Sequence, residues 1–293
     1  MLITLNKILS IAKNQNIAIG AFNTPNLASV MAVVEAAEEL AVPVILMHGE
    51  CHESLVPLAV IGPVLLAAAR LAKVPVCVHL DHGETVEYIK TAIDMGFSGV
   101  MYDGSALEYD LNAANTRQVV EYARRTGISV EAEIGSLGKR EMGLPEDEKD
   151  LAAPAQVYTD PALAARFVRD TGIDALACSF GTAHGLYFNE PKLDLTILER
   201  VRALADVPLV MHGGSGISDA DFLAAIDRGV RKINYFTYMS KAGGEAVQNR
   251  IIQNQSLAQP LPVYFHDIVS WARQAMKANA MAAMEIFSVR KPG

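Results

Sequence analysis

Residues 74–102, VPVCVHLDHGETVEYIKTAIDMGFSGVMY, contain one complete strand–helix–strand unit. An apolar run at 74–79 is followed by a segment of helical character, Thr85–Met95, and then by a second apolar run, Gly99–Tyr102. Runs that are largely apolar on both faces are typical of parallel strands buried between helices. The unit therefore predicts a parallel sheet whose strands are joined by helices.

The same alternation continues along the chain. The apolar runs are residues 17–22, 42–47, 74–79, 99–102, 128–133, 174–178, 207–211 and 230–234. Further helix-like segments are Leu27–Leu40, Asn112–Thr126 and Pro161–Thr171. Eight strand–helix units in about 250 residues are typical of a (β/α)8 barrel. A doubly wound sheet would more often carry a Gly-rich dinucleotide turn after its first strand, and residues 22–26, FNTPN, do not form one.

We therefore expect an α/β protein with one (β/α)8 TIM barrel domain over residues 1–293. Tyr264–Phe287 would form an extra C-terminal helical segment, which suits a cap or an oligomer contact. The 293 residues are 51% hydrophobic, which is enough apolar mass for a large core.

The charge balance excludes some partners. Lys and Arg number 25 against 33 Asp and Glu, and the formal net charge of -8 argues against nucleic acid and anionic membranes. The cysteines at 51, 77 and 178 are scattered without a CxxC spacing and are typical of reduced thiols. No stretch has the pattern of a signal sequence or the length of a membrane span, so we expect a cytoplasmic protein.

In a (β/α)8 barrel the active site lies at the carboxyl ends of the strands. Three histidines fall at three such ends: His82, His184 and His212. Three imidazoles around one divalent ion leave a fourth position open for substrate, as in catalytic zinc sites, and nitrogen ligands favour zinc over magnesium. Asp81 precedes His82, and its carboxylate is either a proton-transfer group or one that only orients an imidazole.

A second cluster predicts an anion site. Residues 213–216, GGSG, directly follow the seventh predicted strand, where barrels of this kind often hold phosphate. Asn234 and Thr237 could close the same pocket from the eighth strand, and Gly181 could approach it from the sixth.

The motifs resemble those of the class II, metal-dependent ketose-bisphosphate aldolases, which include fructose- and tagatose-bisphosphate aldolases. Residues 76–83, VCVHLDHG, and 130–141, VEAEIGSLGKRE, carry the resemblance, together with GTAHG at 181–185 and HGGSG at 212–216. The resemblance implies that the three histidines bind zinc and that Asp81 is the acid/base at the C4 hydroxyl of the substrate.

The resemblance also implies roles for residues that the pattern alone does not assign. Asp103 and Glu133 match carboxylates that hold a second or displaced metal, and Glu141 matches a mobile-loop glutamate that exchanges a proton at C3. The implied contacts to the dihydroxyacetone phosphate half are Gly181, Gly213, Ser215, Asn234 and Thr237, with Asn23 as a further substrate contact. A monovalent cation, Na+ or K+, a phosphosugar substrate and a homodimer or homotetramer are also implied.

The expected reaction is therefore zinc-dependent, reversible aldol cleavage of a ketose phosphate, such as fructose or tagatose 1,6-bisphosphate, to dihydroxyacetone phosphate and an aldehyde. Three alternatives remain at the sequence level: a metal-dependent hydrolase of a phosphorylated or carbonyl substrate, a Schiff-base aldolase that uses Lys232, and a non-catalytic phosphosugar-binding protein. The stretch at 47–52, MHGECH, departs from the small hydroxyl and glycine pattern of the family. His48, Glu50 and His52 there would either read a different aldehyde or form a solvated loop.

Overall fold

The computed structural model describes residues 1–135, 158–183, 185 and 191–289. Eight parallel strands close into a barrel in which each strand pairs with its neighbours in chain order, and β8 pairs with β1. The strands are β1 (Ile19–Asn23), β2 (Val44–Gly49), β3 (Val76–Gly83), β4 (Gly99–Tyr102), β5 (Ser129–Ile134), β6 (Ala175–Cys178), β7 (Leu209–Met211) and β8 (Val230–Asn234). The predicted (β/α)8 barrel is confirmed.

Helices surround the barrel and follow its strands. They are α1 (Leu5–Gln15), α2 (Leu27–Leu40), α3 (Leu58–Leu71), α4 (Val86–Met95), α5 (Tyr109–Arg124), α6 (Pro161–Thr171), α7 (Leu195–Leu204), α8 (Asp219–Asp227), α9 (Thr237–Gln255) and α10 (Phe265–Phe287). A short 3₁₀ turn, Glu50–His52, follows β2. The predicted C-terminal helical segment is α10, which packs against α2 and α9.

The strands alternate between two apolar cores. On β2, for example, Ile45 and Met47 point into the barrel, whereas Val44 and Leu46 pack against the surrounding helices. This alternation follows from the period of two along a strand. At the carboxyl ends the inward positions become polar, and there they form the site described below.

The helix α1 precedes the barrel and has no counterpart in the sequence prediction. Leu5, Ile8 and Leu9 are fully buried and join the core inside the barrel. Leu5 N donates to Ser98 O, beside the start of β4, which places α1 at the amino-terminal end of the strands. The interior is therefore packed from that end, and the polar end of the barrel is the opposite one. Among the described helices, none combines the length and the apolar character that crossing a bilayer requires.

Candidate active site

Asp81 points into the barrel near the carboxyl end of β3 and is fully buried. Its carboxylate accepts two amide hydrogen bonds, Oδ2 from Asn23 Nδ2 at 2.9 Å and Oδ1 from Asn234 Nδ2 at 3.0 Å. Burial by itself would raise the pKa of Asp81, but the positive charges of His82 and Lys232 and the hydrogen bond from Asn23 outweigh it and hold the pKa well below its ordinary value. Asp81 is therefore an oriented, ionised carboxylate that can accept a proton.

The backbone at His82 explains how two consecutive residues reach the same site. In a regular strand Asp81 and His82 would point to opposite faces. His82 instead has a φ of 44°, and the pairing of β3 with β4 shifts register between Leu80 and Gly83. The left-handed conformation is strained for a residue with a side chain, and it directs both side chains to the mouth of the barrel.

The rings of His82 and His212 meet edge to face. His82 Nε2 lies 2.9 Å from His212 Nδ1, and His82 Nδ1 lies 2.7 Å from Asp103 Oδ2. Although burial opposes it, the charges of Asp81 and Asp103 raise the pKa of His82 well above its ordinary value. The two ring nitrogens that converge here are the atoms that a divalent ion would bind in place of a proton.

Glu131 fixes the tautomer of His212. His212 Nε2 lies 2.8 Å from Glu131 Oε1, and both side chains are fully buried. The positive charge of Lys232 and the hydrogen bond from His212 overcome burial and lower the pKa of Glu131 to about 2, so its carboxylate can only accept. His212 Nε2 must carry the proton, and Nδ1 presents its lone pair to His82.

Lys232 completes this buried network beneath the mouth. Its Nζ lies 2.9 Å from Glu131 Oε2 and donates to Asn234 Oδ1 at 2.7 Å. A Schiff-base nucleophile has to be a neutral amine that can reach the substrate. Lys232 is instead fully buried and paired with a carboxylate, so its position favours a structural role over the Schiff-base alternative.

The described residues offer two overlapping groups of possible metal ligands. Asp81, His82 and His212 form one group, and His82, Asp103 and Glu133 form the other, with the ligand atoms in each group within 4.8 Å of one another. Imidazole nitrogens with carboxylate oxygens suit zinc better than magnesium. The predicted ligand His184 and the predicted proton-exchange residue Glu141 lie outside the described residues.

Glycines leave room for backbone at the predicted phosphate site. Gly181 has a φ of 114°, and a Cβ there would lie 2.2 Å from Lys192 O; Gly213 has a φ of 66°, and a Cβ there would lie 2.2 Å from Ala183 O. Only glycine fits either position, because the conformation and the close approach both exclude a side chain. The loops after β6 and β7 can therefore pack directly on one another.

Other predicted phosphate contacts lie on two sides of this loop pair. The buried Ser215 Oγ accepts a hydrogen bond from Tyr238 N at 3.2 Å, and Thr237 is the first residue of the 19-residue helix α9. A helix amino terminus beside a glycine-rich loop attracts anions. Asn234 has a different position from the one expected, because its side chain is engaged by Asp81 and Lys232 rather than directed to the glycine loop.

Comparison with protein families identifies the family of this chain. A family model described as fructose-bisphosphate aldolase class-II matches residues 3–291. The chain belongs to this class II aldolase family. Aldolases are carbon–carbon lyases, and class II members generally use zinc, which agrees with the ligand groups at the mouth of the barrel.

Individual relatives support the family assignment. The protein YdjI of Escherichia coli (strain K12), described as uncharacterized, is 37% identical over 276 residues, which are 94% of each chain. The crystal structure of the YdjI aldolase superposes with a TM-score of 0.84 at 35% identity, covering 98% of this chain and 97% of that one. A structure from Coccidioides immitis, assigned as a fructose-1,6-bisphosphate aldolase, gives 0.77 at 30% identity over 97% and 95% of the two chains. Fructose-bisphosphate aldolase from Campylobacter jejuni shares the fold, with a TM-score of 0.79 at 23% identity over 99% and 97%.

Two residues of this class II aldolase were not assigned from the sequence. Glu131 and His79 lie within the motifs at 130–141 and 76–83, but neither has a role assigned from the sequence. His79 is fully buried, with Nε2 3.5 Å from Glu131 Oε2, and burial lowers its pKa to about 3. His79 is two residues before Asp81 on β3, and Glu131 is two residues before Glu133 on β5. Residues at this spacing point to the same face of a strand, and this is the signal that could have placed them in the site.

Proposed function

We propose that this class II family member is a zinc-dependent aldolase that reversibly cleaves a ketose phosphate, such as fructose or tagatose 1,6-bisphosphate, to dihydroxyacetone phosphate and an aldehyde. His82, His184 and His212 would hold the zinc, with Asp103 and Glu133 beside it as carboxylates for a second or displaced metal. When bound, zinc supplies a Lewis acid that stabilises the negative charge produced when a bond beside a carbonyl is cleaved.

Asp81 would accept the proton of the C4 hydroxyl as the aldehyde departs. Its ionised state and the two amide hydrogen bonds from Asn23 and Asn234 support this role, because the free carboxylate is held in one orientation. In the reverse direction the same group returns the proton. Glu141 would exchange the proton at C3 of the dihydroxyacetone phosphate half.

The phosphate of that half would lie between the glycine loops and the start of α9. The hydroxyls of Ser215 and Thr237 and the helix amino terminus favour an anion there, and Gly181 and Gly213 keep side chains out of the adjoining loops. A nearby Na+ or K+ is part of the same proposal. So are a homodimeric or homotetrameric assembly and a cytoplasmic location, without nucleic acid or membrane partners.

One observation carries the proposal: the two imidazole nitrogens of His82 and His212 converge within 2.9 Å beside the buried, ionised Asp81. A metal ion at that point would lie next to a base. Proton abstraction from the C4 hydroxyl and stabilisation of the charge on the carbonyl half would then occur within one site, as aldol cleavage requires.

The test is a coupled assay for dihydroxyacetone phosphate on the purified protein, with and without chelator. Fructose and tagatose bisphosphates and a series of ketose 1-phosphates serve as substrates. We expect release that chelator abolishes and added zinc restores. Activity that survives complete metal removal contradicts the proposal, and release of inorganic phosphate in place of dihydroxyacetone phosphate would favour the hydrolase alternative.

A further inference from the structure

His48, Glu50 and His52, at the end of β2 and in the turn after it, point in different directions. On β2 the inward side chains are Ile45 and Met47, so His48 points outward and Gly49 inward. His48 Nε2 lies 3.1 Å from the hydroxyl of Tyr88 on α4, outside the barrel. Glu50 accepts a hydrogen bond from Glu84 N at 2.7 Å, so it stabilises the loop after β3.

His52, in contrast, turns back over the mouth of the barrel. An ideal Cβ on Gly49 would point inward, and it would lie 3.1 Å from Cys51 Sγ, 3.5 Å from His52 Nδ1 and 3.6 Å from Asn23 Oδ1. The other side of the His52 ring packs edge to face on Phe236, which follows β8, with a centroid distance of 5.2 Å. His52 therefore lies above β1 and next to Asn23, which holds Asp81.

The Nδ1 atom of His52 is buried without a hydrogen-bond partner among the described residues, although the residue is only 1% exposed. A buried polar atom without a partner destabilises the fold, so such an atom at the mouth of a site points to a ligand group. The position that a Gly49 Cβ would take is bordered by this atom, by Asn23 Oδ1 and, most closely, by Cys51 Sγ, so it has room for a single ligand atom.

The positions of the proposed phosphate site and of Asp81 place His52 Nδ1 on the aldehyde side of the substrate. Under the proposed function the phosphate lies by β7 and β8, and Asp81 acts at C4. The carbons beyond C4 would then extend past Asp81, and Asn23 and His52 are next to it on that side. Gly49 pairs with Asp81 in the β2–β3 register, so the space beside Gly49 adjoins the C4 position directly.

We propose that His52 is a specificity-determining residue whose Nδ1 hydrogen-bonds a hydroxyl on the aldehyde half of the ketose phosphate. The inference rests on the proposed function and deepens it: the group of the aldehyde half that lies against His52 is a hydroxyl, and not a phosphate. Burial lowers the pKa of His52, and the Asp81 carboxylate is the charge that opposes this, so a neutral imidazole faces the substrate beside an anion. A neutral imidazole nitrogen can donate to a hydroxyl or accept from it, depending on the tautomer.

The experiment measures kcat/KM for condensation of dihydroxyacetone phosphate with propanal, lactaldehyde, 3-hydroxypropanal, glyceraldehyde and glyceraldehyde 3-phosphate. The wild type should prefer the aldehyde with the matching hydroxyl over propanal by about tenfold or more, as one neutral hydrogen bond to a desolvated group allows. His52→Phe keeps a ring against Phe236 and should abolish most of this preference. His52→Asn places an amide near the Nδ1 position and should retain part of it.

Two further variants sharpen the result. Gly49→Ala fits an ordinary backbone, since φ is -90° there. Its methyl group enters the space between His52 and Asn23 and displaces Cys51 Sγ, 3.1 Å away, by a few tenths of an ångström, so the preference should fall. His48→Asn removes the neighbouring outward imidazole, and the preference should stay at the wild-type ratio.

Solvent deuterium exchange into dihydroxyacetone phosphate separates this inference from the proposed function, because exchange needs no aldehyde. All His52 variants should exchange at the wild-type rate. Absence of exchange in the zinc-loaded wild type would defeat the proposed function itself. Normal exchange with an unchanged hydroxyl preference in His52→Phe would defeat only the role of His52. The role of His52 would also be defeated if the His52 variants lost exchange and condensation in parallel. A preference for glyceraldehyde 3-phosphate that depends on His52 would defeat it as well.

Discussion

Replacing Glu131 with Gln should weaken zinc binding without touching a proposed ligand. Glu131 holds the Nε2 proton of His212 at 2.8 Å and pairs with Lys232 at 2.9 Å, and all three side chains are fully buried. The amide keeps the shape of the carboxylate but can present its NH2 group to His212. The imidazole would then favour the tautomer whose Nδ1 carries the proton, and that nitrogen could no longer bind metal.

Two magnitudes follow from these contacts. Loss of an outer partner of a ligand histidine typically costs 10–100-fold in metal affinity. Removal of one member of a buried ion pair leaves Lys232 uncompensated and costs about 3–5 kcal/mol of the free energy of unfolding. We therefore expect Glu131→Gln to lower both quantities, zinc affinity in competition with a chromophoric chelator and apoprotein stability in urea unfolding.

A second substitution separates the two effects. In the double variant Glu131→Gln/Lys232→Met the unpaired charge is gone, so most of the lost stability should return while zinc affinity stays low. If Glu131→Gln binds zinc as tightly as the wild type, the carboxylate does not set the tautomer. Recovery of zinc affinity in the double variant would mean instead that the buried charge, and not the hydrogen bond to His212, caused the loss.

Three further outcomes are expected. Asp81→Asn should lower the rate of ketose phosphate cleavage by about 10²–10⁴-fold in the coupled assay, with zinc content by metal analysis unchanged, because the proton acceptor is lost but the imidazoles remain. Gly213→Ala should destabilise the fold by at least about 1–3 kcal/mol in urea unfolding, since a Cβ would overlap Ala183 O and φ is positive. For His79 the unfolded pKa of 6.5 falls to about 3 in the folded state, so only the unfolded chain binds this proton between those values, and stability falls as pH drops below about 6.5. Unfolding of the apoprotein at a series of pH values should show that His79→Asn reduces this slope by up to one proton, about 1.4 kcal/mol per pH unit.

The barrel could be predicted because its signal is local and repeated. Buried parallel strands are continuous apolar runs, and Pro161–Thr171 was placed correctly because Asp160, Pro161 and Gly172 mark its ends. The bounds of α5 were harder to predict: it begins at Tyr109 rather than Asn112, since Glu108 at its start makes no side-chain cap. The helix α1 was missed because the lysines at 7 and 13 hide the spacing of its buried residues.

The site could be predicted only in part. Family motifs gave His82, His212 and Asp81, and the structure brings all three together. The pair Glu131 and Lys232 is separated by 101 residues, and one sequence has no signal that links such distant positions. The same limit applies to His48, Glu50 and His52 at the end of β2. The sequence does not distinguish them, whereas the structure shows which of them faces the barrel.

The left-handed backbone at His82 lowers the stability of the fold but places the imidazole in the site. A side chain with φ near +44° raises the energy of the native state by about 1–3 kcal/mol, and the regular extended conformation would relieve this strain. That conformation would also turn the imidazole away from His212. The more stable backbone conformation at His82 is thus the one that would move its imidazole away from His212. The ion would therefore be bound by a backbone conformation that is less stable than the regular one.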